Sequence, residues 1–242
     1  MNTHPIFIGC TGWSIPRACA EHFPGPGTVL ERYARRFGAV EIASSFYRSH
    51  RPETYARWAD VTPPGFRFAV KLPRLITHFR RLQDPGPLAR FHQETAALGV
   101  KLGPWLIQLP PSLRFEARVV ADFCTALRQE FEGDVACEPR HPTWFTAEAE
   151  ALLQRFRIAR VATDPVYGPG GAEPGGWPGL VYIRLHGSPQ LYASAYPEAF
   201  LIDLVARLQA YAQRAPVWCF FNNTALGHAI ANALFVAARL EG

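Results

Sequence analysis

A chain of 242 residues matches the roughly 250 of one (β/α)8 barrel, and 48% hydrophobic with 19% charged residues excludes a disordered polypeptide. The formal charge is only +5, and no run of about 18 uninterrupted apolar residues occurs, so neither a strongly basic nucleic-acid protein nor a membrane partner is the first expectation. Of 25 basic residues only Lys71 and Lys101 are lysines, and the first 118 residues hold 16 basic and 8 acidic side chains against 9 and 12 in the remainder.

Taken in chain order, eight short apolar runs alternate with helical stretches, and nearly all end on a residue that can bind or titrate. Pro5–Gly9 leads to Thr11. Thr28 with Glu31 reads as a capping box opening a helix to about Phe37, stopped by Gly38. Ala39–Ile42 carries Glu41, and Pro52 opens a helix through Ala59. Phe66–Lys71 ends on Lys71, followed by the basic cluster Arg74, His78, Arg80 and Arg81. A helix at 87–98 precedes Trp105–Leu109 with Gln108; a helix at 116–131 precedes Asp134–Glu138, with Glu138 and then Arg140. A helix at 146–156 leads to Ala159–Thr163 and Asp164. The next stretch, 165–178, is rich in Gly and Pro and reads as a long loop, either a candidate lid or a degenerate sixth helix. Leu180–Leu185 carries Arg184 and, just past it, His186; after a helix at 197–213, Pro216–Phe221 leads to Asn222, Asn223 and Thr224 and a last helix at 225–239. Polar chemistry gathered at strand C-termini is how a barrel builds an active site, so the expected fold is a single-domain (β/α)8 TIM-type barrel over 1–242.

Each candidate carries a functional and a structural reading. Glu41 and Glu138 can act as acid and base, or pair with Arg140, Arg184 or Lys71. Lys71 can bind an anion or act as a base or Schiff-base amine, or bridge to Glu41. Tyr182, Arg184 and His186 alternate, so they share one side of their strand, where Arg184 can hold an anion and His186 can shuttle a proton. On this reading Arg184→Ala and His186→Ala leave the fold intact and remove ligand binding. Asn222, Asn223 and Thr224 can cap the last helix, and the Asn side chains can also orient a ligand. Tyr47, Trp13, Tyr192, Trp144 and Tyr196 are candidate aromatic walls, and Asp164, Gln108 and His78 further binding groups.

Five cysteines without CxxC spacing suit a reduced compartment, and the amino-terminal MNTHPIFIG lacks the features of a secretion signal, so a cytoplasmic location is expected. Histidines show no HxxxH or HExxH spacing, no GxGxxG follows a strand and no P-loop or GxSxG occurs. No metal and no cofactor are expected.

Seven strings in order carry a resemblance: GCTGWS, VEIASSFYR, FRFAVKLPRLITH, LGPWLIQLPPSLRF, EPRHPTWF, YIRLHGS and WCFFNNTALGHAIANAL. Together they resemble the YecE-like family, known as domain of unknown function 72, and the resemblance implies a TIM-type barrel of unsettled activity. Ala43 stands where that pattern commonly has Asn, and Asn222 where it frequently has Asp, which removes one carboxylate from the strand ends. Two functional readings stay open. One is an enzyme using acid–base chemistry (hydrolase, isomerase or lyase) on a small anionic substrate, a phosphorylated one included. The other is a nucleic-acid-binding or processing protein that turns its Arg-rich first half toward phosphates.

Overall fold

The computed structural model describes residues 3–241, so residues 1, 2 and 242 of the expected domain lie outside the described residues. Among the described residues ten strands are present: β1 (Ile6–Cys10), β2 (Ala39–Ile42), β3 (Arg67–Lys71), β4 (Leu102–Gln108), β5 (Val135–Glu138), β6 (Ile158–Arg160), β7 (Ala162–Asp164), β8 (Gly175–Gly176), β9 (Val181–Leu185) and β10 (Val217–Phe221). Between them run α1 (Val29–Ala34), α2 (Pro52–Asp60), α3 (Pro87–Thr95), α4 (Ala117–Glu130), α5 (Ala147–Arg155), α6 (Glu198–Ala212) and α7 (His228–Glu241). The result is an α/β fold with two sheets, ordered β1-β10-β9-β7 and β2-β3-β4-β5-β6-β8. All pairs are parallel except β6 with β8. Among the described residues no helix is long and apolar enough to cross a membrane.

The sheets meet at two places. A parallel bridge joins Thr11 to Glu41, and Gly12 N donates to Glu41 O at 2.9 Å. A Cβ at Gly9 would stand 2.0 Å from Ala39 O, so β1 reaches β2 only because that side chain is missing. At the other edge Val161 alone separates β6 from β7. The run expected as one strand at 159–163 is therefore two, changing partner from β5 to β9 at that residue.

Two hydrophobic clusters follow from the strand alternation. The larger lies between strands and helices, with Val40, Phe68, Trp105, Ile107, Val135 and Leu208 among its members. The smaller takes Ala39, Ala69, Leu106, Ala136 and Ala159 from one sheet and Tyr182, Trp218 and Phe220 from the other. Small residues on one sheet leave room for aromatic ones on the other, and Gly103 accommodates the Trp218 ring, which a Cβ there would meet at 2.4 Å.

The capping box is complete: Thr28 and Glu31 satisfy each other's backbone N–H. The first helix nonetheless ends at Ala34 instead of Phe37, and the last begins at His228, later than the expected 225. Thr224 therefore sits in the preceding turn, accepting from Gly227 N, and is not the helix cap. The 165–178 segment is neither a helix nor a free lid along its length. Thr163 N donates to Gly171 O, Arg160 Nη2 to Gly170 O, Trp177 N to Ile158 O and Arg207 Nη2 to Ala172 O, which ties 170–177 along the outside of β6 and α6.

Candidate functional site

Alternation places the candidates. Ala39, Ala69, Leu106, Ala136, Tyr182 and Phe220 belong to the smaller cluster, and two residues further on stand Glu41, Lys71, Gln108, Glu138, Arg184 and Asn222. Side chains two apart share a face, so the polar set continues that cluster toward the strand C-termini.

Arg184 is the hub. Its Nε and Nη2 donate to Glu41 Oε2 and Oε1 at 3.0 and 2.8 Å, and its Nη1 donates to Glu138. Glu41 also accepts from the Tyr182 hydroxyl at 2.8 Å and the Thr11 hydroxyl at 3.1 Å, while Glu138 accepts from Arg140 Nε at 2.8 Å. Both carboxylates are fully buried and Arg184 nearly so. Charges buried this deeply persist because they are paired and hydrogen-bonded. Burial alone would raise the Glu138 carboxyl, but Arg184, His186 and Arg140 hold it well below the usual carboxylate range. A carboxylate so held is a poor proton donor at neutral pH. With this geometry Arg184→Ala would remove the partner that two buried carboxylates share, so a loss of stability, beyond the expected loss of binding, is the outcome to look for.

His186, fully buried, accepts at Nδ1 from Asn222 Nδ2 at 3.0 Å, which puts its ring proton on Nε2. That Nε2 stands 3.4 Å from Glu138 Oε2 and has no hydrogen-bond partner. Burial pulls the imidazole below its ordinary pKa despite the carboxylate, so the ring is neutral near pH 7.

Lys71 is handled differently. It is 9% exposed, its Nζ lies 3.7 Å from the Phe46 ring centroid, and among the described residues no carboxylate oxygen approaches within 4.0 Å. The bridge to Glu41 is thus not formed; Arg184 takes both Glu41 oxygens. Burial first, then the nearby Arg184 cation, bring the Lys71 amine down to about 7 against the pull of Glu138 and Glu41. His78 is pushed down to about 4 by burial and by Lys71, Arg140 and Arg74, so these cations face one region.

Around that region Arg140 lies over the Tyr167 ring at 5.1 Å, and Arg74 over Tyr47 and Phe79 at 5.7 and 5.2 Å. Tyr192 meets the His186 ring edge-on at 5.6 Å. The other candidates serve as braces. Gln108 Nε2 donates to Leu109 O at 2.6 Å, Asn223 Nδ2 to Ser194 O and Asn232 Oδ1 at 2.9 Å, and Asp164 Oδ1 accepts from the Tyr196 hydroxyl at 3.0 Å. Trp13 packs on Trp58 of α2 at 5.0 Å, as part of the larger core. Phe46 and Tyr167 escaped sequence reasoning: one sits in a single turn after β2, the other in the Gly/Pro segment, and neither has a periodicity to mark it. Clefts of about 280 Å³ beside Trp177 and Tyr211 and about 440 Å³ beside His50 and Arg90 lie away from this cluster. Among the described residues no three His, Cys, Asp or Glu side chains converge as metal ligands.

Fold and site together define an α/β protein whose parallel strands end on a buried network of paired charges with one amine left unpaired. Residues 7–242 match the family model described as Protein of unknown function DUF72, and the chain belongs to that family. It is 33% identical over 153 residues to UPF0759 protein YecE of Escherichia coli (strain K12), covering 62% of this chain and 54% of that protein. The chain thus spans about half the length of the curated relatives it matches. A DUF72 family protein from Thermotoga maritima superposes with a TM-score of 0.80 at 25% identity, covering 99% of this chain and 100% of that one. A sugar phosphate isomerase/epimerase from Parabacteroides distasonis shares the fold at a TM-score of 0.55 and 12% identity, over 99% and 97% of the two chains.

Proposed function

We propose that the two sheets form one (β/α)8 barrel, with its sixth strand broken at Val161, and that its C-terminal face is an enzyme site for a small anionic substrate. The Thr11–Glu41 bridge, the one-residue gap between β6 and β7, and the cluster shared by both sheets support the barrel. The observation that carries the function is Lys71: a covered amine without a carboxylate partner, beside Arg140 and His78, at the end of a strand. Such an amine is poised to exchange protons near neutral pH, and His186, neutral with a free Nε2, is the second proton carrier. Glu41 and Glu138 position Arg184 and Arg140, and Glu138, held well below the usual carboxylate range, is not the proton donor. Arg140 and Arg74 receive the anionic group.

Calorimetry with inorganic phosphate and with small carboxylates tests the anion site. Binding is expected to weaken as salt rises and to be lost in Arg140→Gln; binding that is unchanged in that variant refutes the placement. A second reading rests on a different observation. Tyr47 and Phe79, 68% and 65% exposed, flank Arg74, an arrangement on which nucleobases can stack while the guanidinium meets phosphate. Retention on oligo-dT, with a steep fall of log affinity against log salt, would favour that reading.

A further inference from the structure

We infer that Lys71 is a covalent nucleophile, forming an imine with the carbonyl group of a substrate that also carries a carboxylate or phosphate. This rests on the anionic-substrate reading above and narrows its reaction class. Two features of geometry support it, with the charges around the amine beside them. The amine packs on the Phe46 ring at 3.7 Å from its centroid, and among the described residues no carboxylate oxygen lies within 4.0 Å of it. Its charged neighbours are cations as well as anions: Arg184 of β9 and Arg140 beyond β5 oppose its protonation, while Glu138 of β5 and Glu41 of β2 favour it. Both carboxylates are already held by Arg184, and Glu138 by Arg140 as well, so neither is free to reclaim the ammonium as a salt-bridge partner. A desolvated lysine beside other cations is how a protein makes an amine nucleophilic at neutral pH.

The step balances without a co-reactant. The Lys71 nitrogen lone pair attacks the carbonyl carbon and the C=O π pair moves to oxygen. The proton that the ammonium gives up to solvent before the attack returns to that oxygen and leaves with it as water together with one of the amine's two protons, and the other stays on the C=N bond as an iminium. The iminium withdraws electrons from the bonds to its neighbouring carbon. That favours proton removal or carbon–carbon cleavage there, the chemistry of an isomerase or lyase, over hydrolysis.

The sequence makes the test clean, because Lys71 and Lys101 are the chain's two lysines. Lys101 is covered too, but its ammonium donates to Ala59 O at 2.6 Å, Thr62 O at 2.5 Å and Thr62 Oγ1 at 3.2 Å. The intact chain is incubated near pH 7 with glyoxylate or glycolaldehyde phosphate and cyanoborohydride, and the reduced adduct is mapped by peptide mass spectrometry. The expected result is trapping at Lys71 at least about tenfold faster than at Lys101, slowed by inorganic phosphate and absent in Lys71→Arg. No adduct at Lys71 while phosphate still binds by calorimetry overturns the nucleophile and leaves the anion site standing. Trapping of neutral glycolaldehyde as fast as of the two anionic aldehydes, with no protection by phosphate, overturns the anionic-substrate reading itself.

Discussion

Lys71 and Lys101 are equally covered, each 9% exposed, yet the protein treats the two ammonium groups in opposite ways. At Lys101 the end of α2 presents two carbonyls and a hydroxyl, a full set of acceptors for a fixed cation. At Lys71 the ammonium lies over the Phe46 ring, and the carboxylates of β2, one strand away, and β5, two strands away, are occupied by arginine. A covered charge without partners costs folding free energy, and such a cost is characteristically kept where chemistry needs it. In a chain that otherwise writes arginine, both lysines stand where a compact ammonium, not a planar fork, suits the surroundings.

The largest effect is expected where a cation is satisfied most completely. Arg184→Met strands Glu41 and Glu138 without their shared partner in a site closed to water. Breaking a buried pair from one side costs about 3–5 kcal/mol, so the variant should lose most of its urea stability or fail to accumulate as folded protein. A variant as stable as the parent would mean that the network is not closed and that water serves it.

Lys71→Met should move the other way. The folded amine titrates at about 7 against an ordinary value of 10.5, so between those values the unfolded chain binds more protons than the folded one. Stability of the parent therefore rises with pH through that window, and below it the whole cost of the buried charge is present. Replacing Lys71 by an apolar side chain of similar length should add about 2–4 kcal/mol at pH 6, and the gain should shrink as pH climbs from about 7 and be gone above 10.5. Urea midpoints of both proteins across that range give the answer. A gain independent of pH would show that the amine is not depressed.

How far this contrast could be read beforehand depends on the level. The eight strand positions were legible because period-2 alternation and short apolar runs are local properties, and Glu41, Lys71, Glu138 and Arg184 stood out as polar ends of apolar strands. Which carboxylate pairs with which cation was not legible. Arg184 lies 143 residues from Glu41 along the chain, on the other sheet, and they meet only because the two sheets face each other there. Phe46, which lies against the Lys71 ammonium, sits in a three-residue turn tied to β3 by Ser45 Oγ donating to Lys71 O at 2.6 Å, a contact invisible in any window of sequence. The break at Val161 was hidden for a similar reason. A change of partner strand leaves the hydrophobic pattern untouched.

The smallest effect is expected at Lys101. Lys101→Met removes the donor from Ala59 O and Thr62 O at the end of α2, and unpaired carbonyls cost about 1–3 kcal/mol when sealed from water. Here they are not sealed for good. Although little of the side chain is exposed, it lies close to the surface, and burial lowers its pKa with no carboxylate bonded to the ammonium. Water can therefore replace the lost donor, and the loss should fall near the lower end of that range, with trapping at Lys71 unchanged. The sign is what matters: the two lysine-to-methionine changes should shift the urea midpoint in opposite directions at pH 6. If both lower it by similar amounts, Lys71 is as well satisfied as Lys101, and the unpaired amine on which the catalytic reading depends does not exist.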